Sequence, residues 1–430
     1  MTRASRALRI RPFRALRYAP EAPAGRDGRI APPYDVIAPA QRERLARHPY
    51  NIVHLDLPQA KPGSDPYLDA AERLRSWVRD GVLIRDERPA LYLCEQQYQG
   101  PEGPLRRRGL FARLDLEAYD AGVVIPHERT LERPRLDRRR LLEATRAHLS
   151  AVFMLHPDPD ARVSRLLAEE IRGEPVLEAS DGDGIGYRLV RLDEARVIDG
   201  LQELLRDQWA LIADGHHRYE SALAYHESRL AEGDRDAGHI LAFLCSLEDE
   251  GLIVLPIHRL VHSLPGFSPD RVLKALAAWF DLEPVGDPQR LGAAVRAGQS
   301  RPGVFGLLFG AGGGAFVARW KDGAGLDRPV MQAVPELLRR LDVILLHRLI
   351  LEEVLGIDSE AQSRQAHLDY VKDEAQLLER TGGALLGVLL NPTRIEQVVE
   401  VGRAGLRLPQ KTTYFQPKVP SGLVIDPLDG

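Results

Sequence analysis

The sequence predicts a mixed α/β protein of more than one domain, and three observations carry that expectation. Segments with apolar residues at helical spacing alternate with short continuous apolar runs through most of the chain. At roughly 150 residues per domain, 430 residues make two or three domains. A hydrophobic content of 44% with 28% charged residues lies in the ordinary globular range, which excludes a disordered chain, a collagen-like repeat and a coiled coil.

The elements follow in order. Met1 to Pro20 carries arginines at 3, 6, 9, 11, 14 and 17 with no apolar stretch after them, which suits a basic edge strand and not a secretory signal. Asp65 to Asp80 has helical apolar spacing, Pro66 in its first turn and Gly81 past its end, so it reads as a capped amphipathic helix. Leu91 to Gln99 and Gly109 to Leu116 read as a hairpin around the turn-rich Gly100 to Pro104. Leu136 to Leu149 reads as a helix, Ala151 to Leu155 as a strand, and Ala161 to Ile171 as another helix. A strand at Gly186 to Val190 and a helix at Glu194 to Arg206 then lead to the apolar run Trp209 to Ala213, a tight turn at Asp214-Gly215 and a helix from Tyr219 to Leu230.

Beyond it come the apolar stretch Ile240 to Leu247, a strand over Leu252 to Val261 and a Pro/Gly/Ser-punctuated border at Ser263 to Pro269. The remainder predicts a helix at Arg271 to Phe280, a hairpin of Val304 to Phe309 with Ala315 to Trp320, helices through Val334 to Leu355 and a polar tail. Three regions are expected: 1–124, 125–265 and 266–430.

Charge and composition narrow the function classes. A net charge of −4 lacks the electrostatic footprint of a non-specific nucleic-acid binder. No apolar run approaches the ~18 residues of a membrane span. The only cysteines, Cys94 and Cys245, sit far apart in apolar runs, giving neither a disulfide framework nor a metal motif, so the expected compartment is the cytoplasm.

Several motifs have plain structural readings. Asp181 to Gly186 opens like a calcium loop, but Leu192 stands where a bidentate glutamate is required, so a turn is expected. Gly310 to Gly314 lacks a following Lys-Ser/Thr and reads as a hairpin loop. His347 and His367 have no partner at helical spacing and read as packed or surface residues.

Asp214-Gly215-His216-His217-Arg218 is different. It puts backbone N–H groups, two imidazoles and an exposed guanidinium fork at a helix N-terminus, where the macrodipole favours an anion. The plain alternative is that Asp214 is the N-cap. Ile125 to Thr130, followed by Asp137-Arg138, sets Glu128 beside His127 as a candidate general base; Glu128 opening the next helix is the alternative. Pro32 to Asp35 presents a phenol and a carboxylate on a rigid loop, or simply turns the chain. Lys411 to Lys418 gathers two of the six lysines with hydroxyls, suited to phosphate contact or to an edge strand.

These segments together resemble a bacterial and archaeal family, domain of unknown function 1015. The resemblance rests on PPYDVI (Pro32 to Ile37), IPHERT (Ile125 to Thr130), DRRRLLEAT (Asp137 to Thr145), ADGHHRYESA (Ala213 to Ala222) and the tail KTTYFQPK with SGLV. Two of them also resemble the ParB/sulfiredoxin-like fold and, within it, the free serine kinases, which phosphorylate L-serine with a nucleotide donor. Those proteins pair a P-H-E segment with a later D-G-H-H-R strand-turn-helix, matched here by Pro126-His127-Glu128 and Asp214 to Arg218. Sulfiredoxins carry a cysteine where this chain has His216, so their redox chemistry is not expected. The two motifs stand farther apart than in the compact serine kinases, which implies an insertion over Ser150 to Arg206.

The resemblance implies a ParB/sulfiredoxin-like core at 125–265 with N-terminal and C-terminal α+β additions. It also implies a small-molecule phosphotransferase acting on a hydroxyl, with free serine a candidate acceptor; a phosphatase and a non-catalytic nucleotide sensor are the alternatives. Glu128 would take the hydroxyl proton, and Asp214 would orient a histidine or bind Mg2+ beside a catalytic His216. Gly215, His217, Arg218, Lys411 and Lys418 would hold a nucleotide di- or triphosphate. Tyr34, Asp35, His127 and Thr130 would contact the substrate.

Overall fold

The computed structural model describes residues 7–22, 27–60, 62–101, 103–233 and 237–429, and the first arginines of the basic N-terminal stretch, within 1–6, lie outside the described residues. The chain forms two compact units, 1–253 with 417–430, and 254–416. The class is mixed α/β in both.

A nine-stranded sheet organises the first unit. Its strands are β1 (Ile10–Arg11), β2 (Leu91–Gly100), β3 (Gly103–Asp115), β4 (Val124–Ile125), β5 (Val152–His156), β6 (Pro175–Ser180), β7 (Gly186–Leu192), β8 (Ala210–Asp214) and β9 (His239–Ser246). The spatial order is β4-β8-β5-β9-β3-β2-β7-β6, with β1 pairing β3. The sheet therefore runs through the border expected at 124/125, and the stretch expected as an insertion supplies β5, β6 and β7 to it. β4 and β8 pair in parallel, Val124 opposite Ala210 and Ile125 opposite Leu211, so both chains leave the sheet at the same end. In open sheets that end is where ligand crevices form.

The main helices of the unit are α1 (Pro66–Arg79), α2 (Glu132–Thr145), α3 (Arg162–Glu170), α4 (Ala195–Arg206) and α5 (His216–Ala231). One face of the sheet is sealed by α3, α4 and α5 through Val163, Leu167, Val197, Leu201, Leu205, Tyr219 and Tyr225. Each such side chain contributes roughly 1.5–3 kcal/mol by leaving water. A second core joins α1 and α2 through Leu74, Trp77 and Leu141, with Leu149 beyond the helix end packed against them.

Two boundaries moved for clear reasons. The helix expected to reach Leu149 stops at Thr145, because Arg146 turns left-handed at φ 48° and Ala147–His148 then pairs with Asp426–Pro427. The helix expected from Tyr219 begins at His216, because Gly215 at φ 96° reverses the chain in one residue. Asp181 does close a turn, its Oδ1 accepting from the N–H groups of Asp183 and Ile185.

The second unit holds a six-stranded sheet of β10 (His258–Val261), β11 (Phe280–Val285), β12 (Val304–Phe309), β13 (Ala315–Trp320), β14 (Leu368–Val371) and β15 (Leu386–Leu390), ordered β11-β13-β12-β15-β10-β14. The hairpin of β12 and β13 has the expected bounds, with Gly310 to Gly314 as its loop. The strand expected over Leu252 to Val261 breaks at Pro256, and the helix expected to Phe280 ends at Leu276, Phe280 opening β11 instead. The helices expected through Val334 to Leu355 are a 3-10 turn, Glu336–Leu338, and an α-helix, Asp342–Leu345, that runs on into a π-helical stretch, Leu346–Val354, where His347 is buried against Arg259 (3.0 Å).

Candidate functional site

The two segments singled out at Ile125 to Thr130 and Asp214 to Arg218 are physically one structure. β4 and β8 deliver them side by side, and the first turns of α5 clasp the loop that follows β4. The His127 N–H donates to His216 Nε2 (3.3 Å), the Leu131 N–H to His217 Nε2 (2.9 Å), and Thr130 Oγ1 to Glu220 Oε2 (2.5 Å). His127 in turn points Nδ1 at the Ile212 carbonyl of β8 (2.8 Å), and its ring packs edge-on against His216 with centroids 4.7 Å apart.

These contacts fix tautomers. An imidazole nitrogen facing a carbonyl must carry the proton, and one accepting an N–H must not. The proton of His127 therefore sits on Nδ1, and those of neutral His216 and His217 also sit on Nδ1. Glu128 follows His127 directly, half-buried, on a loop held at both sides by α5.

Asp214 ends β8 between two cations. Its Oδ1 accepts from Lys418 Nζ (2.5 Å) and its Oδ2 from Arg218 Nη2 (2.8 Å). Burial alone would raise the Asp214 pKa, but the Lys418 ammonium and the Arg218 guanidinium outweigh it and hold the carboxyl well below the usual range. Gly215, and not Asp214, caps α5, and no side chain caps the helix. A Cβ at Gly215 would stand 2.9 Å from Arg218 Nη2, so the absence of a side chain lets the guanidinium fold back over the turn.

Arg218 differs from expectation. It is no exposed fork: it is 8% exposed, Nη1 donates to the Ala151 carbonyl and Nη2 is paired with Asp214, because α5 starts one turn earlier than its apolar pattern suggests and draws the residue inward. The donor set at Asp214 does not fit a Mg2+ ion either, since both oxygens are committed to cations, and among the described residues no cluster of three or more His, Cys, Asp or Glu could hold a metal.

Tyr34 stands in a short 3-10 turn, Tyr34–Val36, with Arg138 Cζ 3.9 Å from its ring centroid. Burial, reinforced by the neighbouring Asp35 charge, raises its pKa, so the phenol is neutral at physiological pH. Asp35 itself is exposed. Lys411 belongs to the second unit, where it takes a left-handed φ of 57° and its carbonyl accepts from Arg259 Nη2 (3.1 Å).

Sequence reasoning missed the supports. Arg138 bonds the Asp56 carbonyl (2.7 Å) and carboxylate (3.2 Å), and Asp56 Oδ2 accepts from Ser421 Oγ (2.6 Å). Glu220 and Ser221, inside the ADGHHRYESA motif, hold Thr130 and the Arg135 carbonyl. The spacing of Glu220 one helical turn after His216 and His217 was the available signal, because it places all three on the first two turns.

The family model described as "Protein of unknown function (DUF1015)" matches residues 10–344, well over half of the chain. No curated protein matches the sequence. Among solved structures, the chain is similar to a conserved hypothetical protein from Pyrococcus furiosus, at 14% identity and a TM-score of 0.36, covering 75% of this chain and 96% of that one. It is also weakly similar to a mutant free serine kinase in complex with AMP (13% identity, TM-score 0.37, covering 74% and 91%). A third is SbnI with a C-terminal truncation from Staphylococcus aureus (8%, 0.36, covering 74% and 87%).

Proposed function

The chain belongs to the DUF1015 family, and we propose that it is a phosphotransferase that moves a phosphoryl group from a nucleotide to the hydroxyl of a small molecule. The observation that carries this reading is the clasp: a loop bearing Glu128 held against an uncapped helix N-terminus beside an Asp214-Lys418-Arg218 cluster. Phosphoryl transfer asks a protein mainly for positioning and charge stabilisation, plus one base.

Glu128 accepts the proton of the attacking hydroxyl as its oxygen bonds to phosphorus, and the P–O bond to the leaving phosphate breaks. The first-turn N–H groups of α5, with the His216 and His217 rings fixed by the clasp, receive the phosphates. Lys418 and Arg218 supply positive charge, and Asp214 keeps both aimed while compensating them. Asp214 is thus an organiser in this reading, and no step passes through a metal held by it. Tyr34, Asp35, His127 and Thr130 remain proposed substrate contacts. Free serine, the acceptor named by the motif resemblance, is the first to test.

The test is incubation of the protein with Mg2+, ATP or ADP, and L-serine or pooled hydroxyl metabolites, with mass spectrometry for phosphorylated product. A phosphorylated acceptor that vanishes in Glu128→Gln, with nucleotide binding retained, is the expected result. Binding without product in either protein would make it a sensor, and product release from a phospho-metabolite with water as acceptor would make it a phosphatase.

A further inference from the structure

Beneath Lys418 lies a charged side chain that the proposed chemistry does not use. Arg107 of β3 is 0% exposed, with its guanidinium carbon 4.4 Å from the Phe153 ring centroid and 5.6 Å from that of Phe243. Among the described residues it has no ion-pair partner, and its Nη1 is buried without a hydrogen bond. A buried charge without a direct ion pair, compensated only at longer range by groups such as the Asp249 carboxylate, is costly, so such a residue is seldom there for stability alone.

Its remaining donors converge on one atom. Nε (3.0 Å) and Nη2 both donate to Gln96 Oε1. A guanidinium can only donate, so Gln96 must turn its oxygen toward Arg107 and its NH2 the other way. That Nε2 donates to the Lys418 carbonyl (2.9 Å). Three residues on, Ser421 is tied by backbone bonds to Ala31 (2.9 and 3.2 Å) and by its hydroxyl to Asp56 (2.6 Å). The segment carrying Lys418 is therefore fixed at both ends, and the end nearer the ammonium is fixed by Gln96.

We propose that Arg107 and Gln96 are positioning residues that hold the Lys418 ammonium on Asp214, Arg107 acting by locking the orientation of the Gln96 amide. Its effect on nucleotide rests on the phosphotransferase reading; the placement of the lysine does not.

Gln96→Glu separates the two. A carboxylate satisfies Arg107 and adds a direct ion pair, so the fold and melting temperature are retained, while the donor to the Lys418 carbonyl is lost and replaced by repulsion. The readout is the rate at which each of the six lysines is reductively methylated, followed by peptide mass spectrometry. In the wild type Lys418 should be strongly protected; in Gln96→Glu its rate should rise about tenfold, as expected for loss of one neutral hydrogen bond together with the repulsion that replaces it, with the other five unchanged. Should Gln96→Glu not fold, the isosteric, apolar Gln96→Met is read in the same way. Equal Lys418 protection in the wild type and the folded variant overturns the proposal. An ADP titration on the same proteins distinguishes the levels: a wild type that binds no nucleotide defeats the phosphotransferase reading, while lysine protection still decides the positioning role.

Discussion

Two aspartates in the first unit each sit between two basic side chains and each anchor the C-terminal segment, yet they are built for different ends. Asp214 holds Lys418 and Arg218; Asp426 holds Arg113 through both oxygens (2.9 and 3.2 Å), with His239 Nε2 3.1 Å from Oδ2. For both, burial would raise the pKa and the basic neighbours reverse it. Asp426 is 0% exposed in a strand pair with His148, whereas Asp214 is 12% exposed at the end of β8 where a glycine and a helix N-terminus meet. The same charge arrangement is a latch where it is sealed, and a candidate site where a strand end meets a helix N-terminus that no side chain caps.

Removing either carboxylate strands buried cations, so Asp214→Ala and Asp426→Ala should each cost about 3–5 kcal/mol in denaturant unfolding. The comparison predicts that they differ in rescue. On the phosphotransferase reading the phosphates of ADP take the place of the carboxylate between Lys418 and Arg218, so millimolar ADP should restore part of the stability of Asp214→Ala and none of that of Asp426→Ala. Equal rescue of both, or of neither, would erase the distinction.

Acid should open the latch first. His148 beside it is pushed down to about 4, chiefly by burial, with the Asp426 charge opposing. A histidine depressed in the folded state binds its proton more readily when unfolded, so stability falls as pH drops from its unfolded value near 6.5 toward 4. Asp214 and Asp426, both depressed, contribute stability above the ordinary carboxylate pKa near 4 and lose it only below that. Comparing wild type with His148→Gln, which keeps a donor for the His239 carbonyl now at 3.0 Å, should therefore remove a loss on the order of 3 kcal/mol between pH 6.5 and 4. Superimposable pH profiles would show that His148 does not drive it.

A third contrast lies between glycines. Gly215 and Gly122 are both left-handed, at φ 96° and 70°, but a Cβ meets the Arg218 guanidinium at Gly215 and nothing within 4 Å at Gly122. Gly122→Ala should cost about 1 kcal/mol of backbone strain, and Gly215→Ala up to about 3 kcal/mol, with Arg218 displaced from Asp214. Chemical denaturation of the pair measures the gap, and equal costs would show that Arg218 swings aside freely.

What was legible in the sequence depended on range. The strand, turn and helix around Gly215 announce themselves locally, through a continuous apolar run, a glycine and a change of period, and so does the hairpin of β12 and β13. The supports could not be seen because their partners lie far along the chain: Arg107 finds Gln96 across a strand pair, and Gln96 finds Lys418 only after the tail returns. A faint local signal existed, since Arg107 shares strand parity with inward-facing Phe111, an unusual place for a charge. The reading of Arg218 as an exposed fork failed for the same reason, because the Ala151 carbonyl that receives it belongs to β5's approach, in the stretch taken for an insertion.

The smallest expected effect tests the clasp itself. Thr130→Val keeps the shape of the side chain and, within the protein, removes the bond to Glu220, leaving the ties from His127 to His216 and from Leu131 to His217. Because the pair is partly exposed and Glu220 retains Arg135 Nη1 at 3.6 Å, the loss should be about 1 kcal/mol of stability. The functional consequence follows from position: Glu128 lies between the tie that is kept at His127 and the one that is cut at Thr130, so its carboxylate gains freedom without losing its place. If Glu128 is the base, turnover should fall by a few fold with nucleotide affinity unchanged, far short of the loss in Glu128→Gln, since a misplaced base still reaches its proton part of the time. Steady-state rates and an ADP titration on the two variants decide it. A Thr130→Val enzyme as dead as Glu128→Gln would mean that Thr130 itself touches the reacting groups, and one with unaltered turnover would mean that the clasp at His216 and His217 alone sets the geometry of the base.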